Sequence, residues 1–76
     1  MVGVRKDPPW EPGEYGKHGN GDWYGVTPNG HMGGLRLHDV VEHEDGSITV
    51  SPSILVSQGA EQLWHGYLER GVWREC

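Results

Sequence analysis

Phenylalanine is absent from this chain of 76 residues, and cysteine occurs once, as Cys76. A single cysteine cannot form an internal disulfide, and a thiol on the last residue is poorly placed to hold a metal ion. No apolar run approaches the about 18 residues that a membrane-spanning helix needs, and no signal peptide is recognisable. These absences predict a protein without disulfides or membrane contact, located in the cytoplasm.

Basic residues are also scarce. The chain has 6 Lys and Arg against 11 Asp and Glu, which gives a net charge of −5 at pH 7. Binding to nucleic acid depends on clustered cations that neutralise phosphates, whereas here only Arg5 and Lys6 are adjacent. The charge balance therefore argues against a nucleic-acid partner.

The aromatic residues that are present comprise four tryptophans and three tyrosines. A chain this short buries only about 60% of the surface that its unfolded form exposes, so large rings matter for its core. Each indole can bury about 200 Å², and the tryptophans are expected to form most of the core. The alternative is an exposed docking platform. The four residues are Trp10, Trp23, Trp64 and Trp73.

Residues 1–22 are rich in proline and glycine. Pro8, Pro9 and Pro12 fix their backbone φ angles, and the glycines that follow weaken any local preference. This composition predicts an extended arm in which Trp10 folds back to cover one side of the core. Residues 23–76 are then expected to form a single small β domain.

Short apolar alternations separated by glycine turns predict β-strands from residue 23 onward. The stretch 28–30 (PNG) contains Asn-Gly, a strong hairpin signal because both residues tolerate positive φ. Residues 43–46 (HEDG) fit a type I turn closed by a glycine bulge, and residues 69–71 (ERG) also have glycine at the bulge position. Pro52 predicts a bend or a strand edge. We expect a mainly β fold with five to six short strands in a small antiparallel meander or barrel-like roll.

The turn at residues 27–31 (TPNGH) has the outline of a metal knuckle, and residues 49–54 (TVSPSI) and 62–65 (QLWH) extend the pattern. In this arrangement the chain resembles an uncharacterised family of small zinc-ribbon-like proteins from bacterial and bacteriophage genomes. That family has a Cys-Pro-x-Gly-His knuckle, a Thr-x-Ser-Pro-Ser-Ile strand and a closing Cys-x-x-His segment. The resemblance covers about residues 23–75. The positions kept here are Pro28, Gly30, His31, Thr49, Ser51, Pro52, Ser53, Ile54, His65, Gly71 and Trp73.

The resemblance also identifies what has been replaced. The family's cysteines fall here on Thr27, Asn29 and Gln62, so sulfur ligands that zinc favours are missing. One interpretation is a scaffold that folds without metal or cofactor, stabilised by tryptophans and turn glycines. The other is a rebuilt site with imidazole ligands, for which the candidates are His31, His38 and His65.

Patterns typical of enzymes are missing as well. The chain has no Gly-x-Ser-x-Gly nucleophile motif and no phosphate-binding Gly-x-x-x-x-Gly-Lys loop. The acidic residues between positions 39 and 45 indicate either a solvated hairpin end or a surface for a basic partner.

Together these features predict a non-enzymatic protein-binding module. Surplus Trp and Tyr favour this function because both residue types are frequent at interface hot spots. The resemblance implies a phage-type accessory protein that docks to a host or phage protein, in the host cytoplasm if a phage encodes it. Two alternatives stay open, a small-molecule or metal-binding domain and a structural homo-oligomer such as a homodimer. The binding candidates are Trp10, Trp23, Tyr24, Asp39, Glu42 and Glu44.

Overall fold

The chain folds into β-strands and turns only. The computed structural model describes residues 1–76 and contains no helix, and hence none long and apolar enough to span a membrane. Four strands form the N-sheet, in the order β1-β2-β3-β4: β1 (Val4–Arg5), β2 (Glu14–Lys17), β3 (Trp23–Val26) and β4 (Met32–Gly34). Four more form the C-sheet, in the order β5-β6-β7-β8: β5 (Asp39–Glu42), β6 (Ile48–Gln58), β7 (Glu61–Glu69) and β8 (Val72–Glu75).

The mainly β prediction is confirmed, whereas the single meander or barrel of five to six strands is wrong. Neither sheet closes, and β4 does not pair with β5 although they are consecutive in the chain. The physical reason lies at Leu35. Its N–H donates to the Trp23 carbonyl at 3.0 Å, and its side chain enters the core at 2% exposure. The connection therefore turns inward after β4, and the strands divide into two sheets.

Residues 1–22 contribute two strands in place of the expected extended arm. β1 lies parallel to β2, and β2 pairs antiparallel with β3. Tyr15 of β2 is a core residue, 3% exposed. The first residues run beside β8, where the Gly3 N–H donates to the Gly71 carbonyl at 2.7 Å and the Trp73 N–H to the Met1 carbonyl at 2.8 Å. The N-terminal segment therefore links the two sheets.

The turns expected from glycine occur, in two geometries. The turns after β3 and β5 each have one residue with positive φ, Gly30 at 92° and Gly46 at 86°. Asn29, expected to share the positive φ, does not adopt it. The turn between β7 and β8 differs, because Arg70 and Gly71 both have positive φ, 46° and 78°. A tight two-residue turn therefore stands where a glycine bulge was expected.

β6 is one strand of 11 residues, where two short ones were expected. Its pairing with β7 is irregular between Val50 and Ile54, and Pro52 lies in that interval. β5 pairs only with Ile48–Ser51. The bend predicted at Pro52 is thus a local irregularity at the place where β5 ends. Beyond it, residues 54–58 have a strand on one side only.

Two tryptophans, rather than four, occupy the centre of the core. The rings of Trp64 and Trp73 meet edge to face, with centroids 5.5 Å apart and planes at 84°. Trp23 is partly buried against this core, whereas Trp10 is 75% exposed. The expectation that Trp10 covers the core is therefore wrong. The other buried members of the core cluster are Tyr15, Leu35, Ile48, Val50, Ile54 and Leu68.

Candidate functional site

The exposed tryptophan lies in a proline-rich loop between β1 and β2. We call residues 8–13 (PPWEPG) the Trp10 loop. Pro9 is fully buried, with an exposure below 2%, whereas the next residue, Trp10, is 75% exposed. Proline fixes φ, and here its ring is also held in the interior, so the backbone is anchored directly beside the exposed indole. The loop thus presents one large ring to solvent.

The carboxylate of Glu14 holds this loop in shape. Its Oε1 accepts the backbone N–H groups of Trp10 and Glu11, each at 2.8 Å. These donors, Glu11 first and then Trp10, hold the pKa of Glu14 below its usual value because they stabilise the charged form. An ionised acceptor makes stronger hydrogen bonds than a neutral one. The loop is therefore held most firmly when Glu14 is ionised.

The end of the loop is attached to both sheets. The Gly13 N–H donates to the Val26 carbonyl at 2.8 Å. The Gly13 carbonyl accepts from the Val4 N–H at 3.1 Å and from Trp73 Nε1 at 2.9 Å. Met1 Cε lies 2.7 Å from the point where a Cβ on Gly13 would be, so the Met1 side chain rests on the loop. The exposed indole therefore stands on a rigid base that carries a second apolar side chain.

Acid is expected to loosen the Trp10 loop through Glu14. Because folding lowers the pKa of this group, its contribution to stability is complete above the unfolded value, about 4.3, and is lost as the pH falls through the folded value. Glu14→Gln keeps an oxygen acceptor without the charge. Its urea-unfolding midpoint is expected to fall less than that of wild type between about pH 6 and about pH 3. Equal losses in the two proteins would contradict this role.

Trp23 and Tyr24, the other aromatic candidates, are held by side chains of the N-terminal half. The cations of Arg5 and Lys17 each lie 4.9 Å from the centroid of the Trp23 ring. Tyr24 stacks on His18, with centroids 4.0 Å apart and planes at 42°. Both rings are half-buried. They are therefore less available to a partner than Trp10.

The acidic candidates are divided between the two ends of β5. Glu42 and Glu44 line a shallow depression at the turn to β6, whereas Asp39 begins β5 at its other end. Arg5 Nη1 donates to Glu42 at 2.7 Å. Hydrogen bonds to Asp7 and then Glu42 raise the pKa of Arg5 above its already high value. The three carboxylates thus do not form one patch, and Glu42 already has a cationic partner.

Two of the three histidines considered as metal ligands meet, and the third lies elsewhere. His38 Nε2 is 3.2 Å from the Ser53 carbonyl oxygen, and His65 Nε2 is 2.9 Å from the Ser53 hydroxyl. His31 lies in the turn after β3, where its N–H donates to Thr27 Oγ1 at 3.0 Å. No group of three or more His, Cys, Asp or Glu residues could hold a metal ion. The three imidazoles expected in one site are not brought together.

Ser53 is a junction that sequence reasoning missed. A serine hydroxyl beside an imidazole is the first contact of a nucleophilic pair. Here no side chain hydrogen-bonds to His65 from its other nitrogen to orient it. Because a carbonyl only accepts, His38 Nε2 donates to Ser53, and Nδ1 of His38 is buried without a partner. We assign Ser53 the role of holding residues 35–38 against β6. Only the register of β6 and β7 could have revealed it.

No protein-family model, no curated protein and no solved structure matches this chain. The zinc-ribbon resemblance of the sequence therefore stays a prediction. Among the residues predicted to bind, Trp10 has a side chain that is both well exposed and attached to a firmly held backbone.

Proposed function

We propose that this chain is a non-enzymatic protein-binding module whose principal contact is Trp10. The observation that carries the proposal is the 75% exposure of this indole beside the fully buried Pro9. Apolar surface in water is unfavourable by about 25 cal/mol per Å². A fold that buries the proline and leaves the much larger indole outside therefore gains stability from a partner that covers the ring.

Rigid presentation favours tight binding. Association costs the conformational freedom of every loop and side chain that becomes ordered at the interface. The Trp10 N–H is already bound to Glu14 at 2.8 Å, and prolines flank the residue at positions 9 and 12, so little backbone freedom is left to lose. Tryptophan is also among the residues most enriched at interface hot spots.

The expected partner is a protein with an apolar pocket and basic residues at its rim. Glu11 follows Trp10 directly and is exposed, and the whole chain has a net charge of −5. Opposite charges around an apolar contact accelerate association and select against wrong partners. A host or phage protein as partner follows only from the sequence resemblance and stays a prediction.

Trp10→Ala is expected to abolish partner binding without changing the fold. Truncation of a hot-spot tryptophan costs about 2 kcal/mol or more, which is about 30-fold in Kd. An exposed side chain contributes little to stability, so the unfolding temperature is expected to stay near that of wild type. Val41→Ala is a matched control, because Val41 is also exposed (55%) but lies on β5. Affinity capture from lysate identifies the partner, and titration of that partner gives the three Kd values.

Equal affinity of wild type and Trp10→Ala for the same partner would contradict the proposal. A Trp10→Ala protein that binds weakly because it is unfolded would contradict it as well, since the indole would then serve the fold. The expected pattern is a normal unfolding temperature for both variants and weakened binding for Trp10→Ala alone.

A further inference from the structure

β6 has a free edge. β7 pairs with β6 as far as Gln58, but β5 pairs only with Ile48–Ser51. The next carbonyl available beyond the irregularity, that of Ser53, is taken by His38. Backbone groups of Ile54–Gln58 that face away from β7 therefore have no strand beside them. We call this five-residue edge the β6 slot. Free edges of this kind can pair with a strand of another chain.

The slot lacks the usual protection of an edge strand. Proteins commonly protect such edges with charged residues or a covering loop. Residues 46–60 contain no charged side chain, and β6 lies wholly within them. Leu55 in the slot is 54% exposed, and Leu37 beside it is 93% exposed. Both line a shallow depression of about 530 Å³, together with Gly34, Arg36 and His38.

We propose that a second copy of this chain occupies the β6 slot and that the two copies form a homodimer by antiparallel β6–β6 pairing. A two-fold axis at Val56 places Val56 opposite Val56 of the second copy, Leu55 opposite Ser57 and Ile54 opposite Gln58. All five residues of the slot are then paired in both copies, as an isologous contact requires. An uncharged segment suits self-association because a net charge of −5 makes two copies repel elsewhere.

The same register brings opposite charges together. Glu61 follows the turn after β6 and pairs with Gln58. Antiparallel pairing carries this turn past Ile54 of the other copy, toward residues 35–38, where Arg36 lies beside Leu55. Arg36 and Glu61 are exposed, and neither takes part in an ion pair within the chain. The dimer therefore has two symmetry-related pairs between Arg36 of one copy and Glu61 of the other.

The homodimer is independent of the proposed function. The Trp10 loop connects two strands of the N-sheet, whereas the slot belongs to β6 of the C-sheet. Trp10→Ala is accordingly expected to leave the dimer intact, and dimer-breaking substitutions are expected to leave binding through Trp10 intact.

Size-exclusion chromatography with light scattering tests the dimer, with reductant present to prevent cross-linking through Cys76. Wild type is expected to show a concentration-dependent dimer, and Leu55→Lys a monomer. Arg36→Glu and Glu61→Arg are each expected to raise the dimer dissociation constant at least about tenfold, because each creates two like-charge contacts. An equimolar mixture of these two variants is expected to recover the dimer, since every contact in the mixed dimer joins opposite charges.

The mixture separates an intermolecular pair from an effect on the fold, and thermal unfolding of each variant confirms that the fold is kept. A wild type that stays monomeric at about 1 mM overturns the proposal. So does a mixture that fails to recover, or a dimer that Leu55→Lys does not weaken. A monomer that binds an extended acidic peptide at the slot would assign the edge to another occupant and also overturn it.

Discussion

Trp73→Ala is expected to leave most of the chain unfolded at room temperature. Trp73 is 2% exposed, meets Trp64 edge to face and donates its Nε1–H to the Gly13 carbonyl. Truncation of a buried tryptophan to alanine costs about 3–5 kcal/mol. The total stability of a natural domain is about 5–15 kcal/mol, and a domain this small lies at the low end. Residues that approach the ring include Gly3 and Gly25, which have no side chains to fill the space.

Urea unfolding followed by far-UV circular dichroism measures this loss. Trp10→Ala is the matched control, because it removes the same side chain from a position that is 75% exposed. Its free energy of unfolding is expected to change by about 0.5 kcal/mol or less. Trp73→Phe retains a ring but removes the N–H, and is expected to lie between the two. Similar unfolding midpoints for Trp73→Ala and Trp10→Ala would refute the assignment of Trp73 to the centre of the core.

Gly66→Ala is expected to cost about 1–3 kcal/mol, toward the upper end of that range, because the site has no room for a methyl group. A Cβ on Gly66 would overlap the Arg74 carbonyl oxygen and would lie 2.5 and 2.8 Å from Cη2 and Cζ2 of Trp64. The carbonyl belongs to the backbone of β8, and the ring is 3% exposed. Neither can move without disturbing the pairing of β7 with β8 or the contact between Trp64 and Trp73.

Gly19→Ala provides the comparison for Gly66→Ala. Nothing lies within 4 Å of the position of its Cβ, and its φ is outside the left-handed region. The substitution is expected to be neutral or to stabilise by about 0.4–1 kcal/mol, because alanine restricts the unfolded chain more than glycine does. Thermal or urea unfolding of both variants measures the difference. Equal stability of the two would show that the space beside Gly66 is larger than described.

The positions of the turns could be predicted because a turn depends on residues that are neighbours in the chain. Gly30 and Gly46 close their turns with positive φ, a conformation that glycine adopts at little cost. The last turn was placed correctly but its geometry was not, since Arg70 also adopts positive φ there. Nothing local favours that conformation for arginine.

The binding candidates show the same limit. Trp10 could be identified as unusual from composition, but its exposure could not, because sequence alone does not say whether Pro9 or Trp10 turns inward. That choice depends on Glu14, which accepts both N–H groups, and on Val26 and Trp73, which hold Gly13. Trp23 was an equally good candidate by residue type, yet Arg5 and Lys17 occupy positions against its ring.

The sequence by itself determined the β class, the strand-and-turn rhythm after residue 23 and the acidity of the surface, because each follows from composition or from spacing over a few residues. Tertiary structure alone decided the division into two sheets, the burial of Trp64 and Trp73 and the exposure of Trp10. Contacts such as that from Trp73 Nε1 to Gly13, 60 residues apart, make these decisions. They depend on which surfaces meet when the whole chain packs, and no local pattern specifies that.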